Sequence, residues 1–288
     1  MFFYIKSGVS EGSINRPKFF NCVMDELLYA MEEHHLGCFV NGLYAGAFAY
    51  ADDLLLLSSS MVMLQQMLDL CTSIGIVYNL SFNSKKSVMG VVGIHFGKLA
   101  SCLTLYGTDI EWSERFTYLG ITFLFCVNLC VDVTSRLQKF HAAVCTVLKN
   151  KLAGFENVYV RLLVTKCMPI LFYGMDSLTL SSNVLQTITK SWNMAFKWIY
   201  GLRKYDSTRL LLRSCNTMSA KFLLHQSSLL FYNTVSASKV PILRNLWLWC
   251  RSTESYTHML RSYNLFDVES RAQIYGSVMM SFNAYCEE

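Results

Sequence analysis

The chain has 288 residues, 53% hydrophobic and 16% charged, which is enough apolar material for one large or two smaller packed domains and excludes a disordered polypeptide. Its net charge of +5 is unevenly placed: residues 1–132 carry 7 Lys/Arg and 12 Asp/Glu, residues 133–252 carry 16 and 3, and the last 36 carry 2 and 5. The basic middle is a candidate surface for a polyanion, with a solvated face on ordinary helices as the alternative. Eleven cysteines, an odd number at scattered spacings with Cys126 and Cys130 the closest pair, fit a compartment that keeps thiols reduced, and buried thiols are the expectation over a zinc site. No uncharged run is both long and wholly apolar. Phe116 to Val131 comes nearest but contains Thr117, Thr122 and Asn128 and is too short to span. The opening MFFYIKSGVSEG lacks the basic start and cleavage site of a secretory signal. An intracellular protein, in cytoplasm or nucleus and away from membranes, is expected.

In chain order, Phe2 to Ile5 suits a short strand, and Gly8 to Ser13 a loop with glycines at both Gly8 and Gly12. Pro17 stands where a helix begins, and apolar residues from Phe20 to Met31 recur at helical spacing towards a stop near Gly37. Asn41-Gly42 is a hairpin turn signal. Then comes GAFAYADDLLLLSSS, Gly46 to Ser60. The short apolar runs Ala47 to Tyr50 and Leu54 to Leu57 flank the adjacent carboxylates Asp52 and Asp53. The simplest geometry is strand, tight turn carrying both Asp, and strand. Two neighbouring carboxylates are comfortable when solvated, as in a plain polar turn, or when a hard cation such as Mg²⁺ shares them with substrate phosphates.

Ser58 to Ser60 can cap a second helix whose apolar stripe runs from Leu64 to Ile74, with Gly75 as its stop. Leu80 to Ser87, containing Asn83, Lys85 and Lys86, precedes a strand from Val88 to Val92. Residues 103–112 have a hairpin pattern, and Phe116 to Phe123 follows it. His34-His35 suits a solvated helix end better than a metal site. Beyond Asp132 the periodicity is helical. One stripe runs from Val133 to Leu148. A second begins at Val158 and stops at Pro169, and a third starts near Asn183 and ends at Gly201. More helices are expected to Ser252, with Pro241 as an interruption. Trp192 and Trp198 are expected in the core.

Tyr50-Ala51-Asp52-Asp53 between hydrophobic strands resembles the catalytic hairpin of reverse transcriptases, most closely those of non-LTR retrotransposons. Other motifs follow the same family order. Gly8-Val9, Gly12-Ser13-Ile14, Pro17 and Phe20-Asn21 resemble the loop and helix that lie against template and incoming nucleotide. Leu80-Ser81-Phe82-Asn83 through Lys86-Ser87 resembles the Leu-x-Phe-Asn-x-x-Lys-Ser segment, and Tyr118-Leu119-Gly120-Ile121 the strand that holds the primer end. Leu171-Phe172-Tyr173-Gly174 resembles a thumb signature. Ser10-Glu11 and Asn15-Arg16 depart from the family pattern, and Glu11 would set a negative charge near nucleotide phosphates.

The resemblance implies Mg²⁺ (or Mn²⁺) held by Asp52 and Asp53, with Lys86 stabilising the departing pyrophosphate. It implies nucleotide and template contacts at Gly8, Gly12, Ser13, Pro17 and Tyr50, and primer contacts at Tyr118, Leu119 and Gly120. The partners would be an RNA template, a DNA primer and deoxynucleoside triphosphates. The expected fold is α+β: an antiparallel palm sheet with two packed helices over 1–123, a basic helical thumb over 124–213, and a helical extension over 214–288. The family's further Asp from an upstream strand has no counterpart before Glu11, so a part of the enzyme that does not polymerise alone is expected. The alternatives are a non-catalytic nucleic-acid-binding remnant, a metal-dependent transferase acting on a nucleotide-linked substrate, and a helical interaction protein.

Overall fold

The structure, a computed structural model, describes residues 16–93, 102–149, 151–265 and 270–287. The expected strand at 2–5 and the loop at 8–13 lie outside them. The chain divides into two compact units, Met1–Asp132 and Val133–Glu288.

In the first unit, helix α1 (Arg16–Glu33) is followed by strands β1 (Phe39–Val40), β2 (Leu43–Tyr44), β3 (Ala47–Tyr50) and β4 (Asp53–Leu56). Helix α2 (Met61–Tyr78) comes next, then β5 (Val88–Met89), β6 (Thr104–Leu105), β7 (Thr108–Asp109), β8 (Glu111–Trp112), β9 (Arg115–Tyr118), β10 (Ile121–Leu124) and β11 (Cys130–Asp132). The mixed α+β class is as expected. A single antiparallel sheet is not formed among the described residues: β1-β2, β3-β4 and β6-β7 are separate hairpins, β11-β10-β9 is a three-stranded antiparallel sheet, and β5 pairs with β8 in parallel. The strands are short, and two-residue turns fold the chain straight back in the hairpins, so most pairing is local, with β5–β8 as the long-range pair. At Asn41-Gly42, Tyr106-Gly107 and Leu119-Gly120 both turn residues have positive φ, the geometry that matches the twist of paired strands.

Helices α1 and α2 supply the core. Met24, Leu27 and Met31 from one and Met67, Leu68 and Cys71 from the other close over Ala47 of β3 and over Leu103, Leu105 and Ile110. Each such large side chain contributes about 1.5–3 kcal/mol by leaving water. Ser60 caps α2 by accepting from Met63 N–H, as expected. The helix does not stop at Gly75. It runs to Tyr78 and ends on Asn79, which takes the left-handed conformation at φ 53°. Gly75 is there for another reason: a Cβ on it would lie 2.3 Å from the Tyr106 hydroxyl, which crosses the helix to donate to Leu80 O. By length and composition α2 is apolar enough to cross a membrane, with a mean hydropathy of 1.3. Its Gln65 nevertheless pairs twice with the Thr104 backbone, donating to its carbonyl at 3.0 Å and accepting from its N–H at 2.9 Å. Phe116 to Val131, the stretch the sequence singled out, forms β9, β10 and the start of β11 instead.

The second unit is helical: α3 (Thr134–Leu148), α4 (Glu156–Leu162), α5 (Met168–Phe172), α6 (Ser182–Tyr200), α7 (Arg209–Ser214), α8 (Ala220–Ser236), α9 (Pro241–Ser252), α10 (Glu254–Ser262) and α11 (Arg271–Glu287). Pro169 does not end a helix. A π-helical turn at Leu163–Cys167 joins α4 to α5, and the wider turn absorbs the ring and the missing donor. Pro241 stands at the break between α8 and α9, as expected, and opens α9 in its first turn. Ser181 caps α6, and Gly201 at φ 65° ends it. Trp192 of α6 is fully buried against Phe140, Phe172 and Phe196, and its indole N–H donates to Met218 O at 3.1 Å. Trp198, expected in the core, is instead 39% exposed, with its ring edge-on to His141.

Candidate nucleic-acid and metal site

Hairpin β3–β4 pairs Ala47 with Leu56, Phe48 with Leu55, Ala49 with Leu54 and Tyr50 with Asp53. Strand alternation sends Ala47, Ala49, Leu54 and Leu56 to the core. Phe48, Tyr50, Asp53 and Leu55 therefore share the opposite face. The base is closed by two further bonds, from Cys38 N–H to Leu57 O and from Leu57 N–H to Gly46 O. There Gly37 and Gly46 meet backbone to backbone: a Cβ on Gly37 would sit 2.7 Å from the Gly46 Cα.

The tip differs from the sequence expectation in one respect. The turn holds Ala51 and Asp52, and Asp53 is already the first residue of β4, because Tyr50 and Asp53 form the closing pair. Closing the loop in two residues puts Ala51 at φ 51°, which costs a non-glycine residue roughly 1–2 kcal/mol. Tyr50, Asp52 and Asp53 are all exposed. Among the described residues neither carboxylate takes a hydrogen bond or an ion pair.

Lys86 sits in a turn built by Asn83. The Asn83 side-chain oxygen accepts from Lys85 N–H at 3.1 Å and from Lys86 N–H at 3.3 Å, and its carbonyl accepts from Lys86 and Ser87. This explains why Asn precedes the lysine by three positions: the short amide side chain bonds forward to the backbone and leaves the ammonium in solvent. The sequence marked Asn83 as part of a motif without assigning it this work.

Tyr118-Leu119-Gly120 was expected as part of a strand. It is a hairpin tip: Tyr118 ends β9, Leu119-Gly120 make the turn at φ 48° and 76°, and Ile121 opens β10. Burial and then the nearby Asp53 carboxylate raise the Tyr118 phenol above its ordinary pKa. One carboxylate of the predicted pair, Asp53, thus lies near the tyrosine that starts the Tyr-Leu-Gly-Ile motif. Pro17 falls in the first turn of α1, while Gly8, Gly12 and Ser13 lie outside the described residues.

Among the described residues no group of three or more His, Cys, Asp or Glu could hold a metal ion. The available donor set at the tip is therefore two solvent-facing carboxylates. Hard oxygen donors of this number suit Mg²⁺, which keeps several waters and takes one or two carboxylates with substrate phosphates.

In the helical unit, several basic residues are committed to structure. Arg136 donates to Tyr173 O, Lys151 to Trp198 O at 3.1 Å, and Arg213 pairs with Glu287 at 3.0 Å. Arg136 thus holds the Leu171 to Gly174 segment. Lys139, Lys149, Arg161, Lys166 and Lys190 are exposed.

Residues 1–123 match a family described as reverse transcriptase (RNA-dependent DNA polymerase). The chain is also 24% identical, over 216 residues, to the retrovirus-related Pol polyprotein from type-1 retrotransposable element R2 of Popillia japonica. That alignment covers 72% of this chain and 35% of the relative, so the chain spans about a third of the length of the curated protein it matches. The family match bears out the resemblance to reverse transcriptases and the relative its retrotransposon part, and the family match takes in the motifs from Gly8 to Ile121 but not Leu171 to Gly174.

Proposed function

We propose, starting from the match of residues 1–123 to reverse transcriptases, that this chain carries part of the site for RNA-directed DNA synthesis of a non-LTR retrotransposon. The observation that carries the proposal is the β3–β4 hairpin, which presents Asp52 and Asp53 to solvent at its tip. In this reading 1–123 is the end of a palm, 124–213 a basic thumb and 214–288 a helical extension.

Asp52 and Asp53 hold Mg²⁺ or Mn²⁺, which when bound activates the primer hydroxyl and neutralises charge on the triphosphate. Lys86 stabilises negative charge on the departing pyrophosphate or donates a proton to it. Gly8, Gly12, Ser13, Pro17 and Tyr50 contact nucleotide and template, and Tyr118, Leu119 and Gly120 the primer end. Exposed lysines and arginines of the helical unit meet template and primer phosphates independently of sequence. An intracellular setting, in cytoplasm or nucleus and away from membranes, is part of this proposal; the free state of all eleven cysteines fits its reducing conditions.

Two carboxylates are fewer than template-directed transfer needs, so the chain alone is proposed to be inactive. A primer-extension assay with purified chain, primer-template, deoxynucleoside triphosphates and Mg²⁺ tests this. No extension is expected, and template-dependent extension abolished by Asp52→Ala would overturn it. A second reading, a non-catalytic nucleic-acid-binding remnant, is favoured by the lack of a third acidic partner among the described residues. It requires nucleic-acid binding that neither Mg²⁺ nor Asp52→Ala changes.

A further inference from the structure

Tyr205 is 91% exposed, more than any other large apolar side chain among the described residues. It lies in the loop that leaves α6. That loop is tightly built. Leu202 N–H returns to Lys197 O at 2.9 Å, and Asp206 N–H to Arg203 O at 3.1 Å. The Asp206 carboxylate accepts from Arg203 N–H at 2.7 Å and pairs with the Arg203 guanidinium at 3.7 Å. The Lys197 ammonium reaches forward to Lys204 O at 2.5 Å.

These bonds fix the backbone on both sides of Tyr205 and leave its ring in water. Burial therefore does not explain the aromatic residue here. The surroundings are cationic: the Lys204 ammonium lies 5.9 Å from the ring centre, and Arg203 and Lys197 are within the same short segment, with Asp206 as its one acidic residue.

A rigid loop offering an aromatic face beside lysine and arginine matches how unpaired nucleotides are held. The base stacks on the ring and the phosphates meet the cations. Bases in a duplex are already stacked and have no free face to offer. We propose that the Gly201–Asp206 loop takes an unpaired nucleotide of a single-stranded nucleic acid, with the base on Tyr205 and the adjoining phosphates on Lys204 and Arg203. This deepens, and rests on, the nucleic-acid reading of the helical unit.

The test is fluorescence anisotropy on the full chain, using one labelled oligonucleotide both single-stranded and annealed to its complement. Tyr205→Ala is expected to weaken single-strand binding about tenfold while Tyr205→Phe, which keeps the ring, changes it less than about twofold. Duplex binding stays the same in both. Lys204→Gln is expected to lower the salt dependence of single-strand binding by the share of about one phosphate contact. Because Tyr205 is exposed, its substitution should leave the melting temperature unchanged, and a thermal melt checks that. Wild-type binding that Tyr205→Ala leaves intact, or weakens equally on duplex, overturns this proposal alone. If the wild-type chain binds neither strand form, the nucleic-acid reading falls with it.

Discussion

Asp53 and Tyr118 belong to different ribbons, yet the carboxylate at the start of β4 lies near enough to the phenol at the end of β9 to raise its pKa, adding to the effect of burial. Removing the Asp53 charge makes the phenolate easier to form. Asp53→Asn is therefore expected to lower the Tyr118 pKa part of the way back to the ordinary tyrosine value, with the share due to burial remaining. An NMR-monitored pH titration of the tyrosine rings reads this directly. An unchanged Tyr118 curve in Asp53→Asn would mean that the two hairpin tips are not neighbours.

The hairpin stands on a glycine contact. Gly37 has φ 108° and no room for a Cβ against Gly46 and Leu57, whereas Gly42, at φ 78°, has nothing within 4 Å of its missing Cβ. Gly42→Ala should cost only the backbone strain, about 1 kcal/mol. Gly37→Ala adds overpacking and should cost about 3 kcal/mol in all. Denaturant unfolding of the two variants separates them, and equal midpoints would refute the contact.

A half-buried histidine gives the helical unit a pH signature. His225 of α8 shares a 2.7 Å hydrogen bond with the Tyr263 hydroxyl, and burial, followed by Lys221 and His258, pushes its pKa down to about 4. Glu254 of α10 lines the same hollow. The folded pKa is below the unfolded value of about 6.5, so the folded state favours neutral His225. That stability is present above pH ~6.5 and is lost as pH falls towards 4, by up to about 3 kcal/mol. Thermal unfolding of wild type and His225→Gln from pH 7 to 4 should show a steeper decline in wild type; parallel profiles would contradict it.

Much of this was legible in local chemistry. Asn41-Gly42 announced its turn because few residue pairs tolerate two positive φ values, and Ser60 announced a helix start because its hydroxyl can replace a missing backbone partner. Apolar runs flanking Asp52-Asp53 announced the hairpin. Gly75 and Pro169 misled because tertiary contacts decide their meaning. A glycine that stops one helix makes room in another for Tyr106, and a proline that ends one helix is absorbed in another by a π-helical turn. The pairing of Asp53 with Tyr50, which moves it out of the turn, and its approach to Tyr118 depend on register and on packing between ribbons. Neither is written in any single stretch. Tyr205 escaped notice because exposure leaves no periodicity.

The most direct test of the proposed metal site is Mn²⁺ binding followed by electron paramagnetic resonance, with and without a deoxynucleoside triphosphate, on wild type, Asp52→Ala and Asp53→Ala. The expected result is Mn²⁺ held by the wild-type chain more tightly when the triphosphate is present, with that gain lost in both variants. Equal Mn²⁺ and triphosphate binding by all three proteins would contradict a metal-holding role for the hairpin tip.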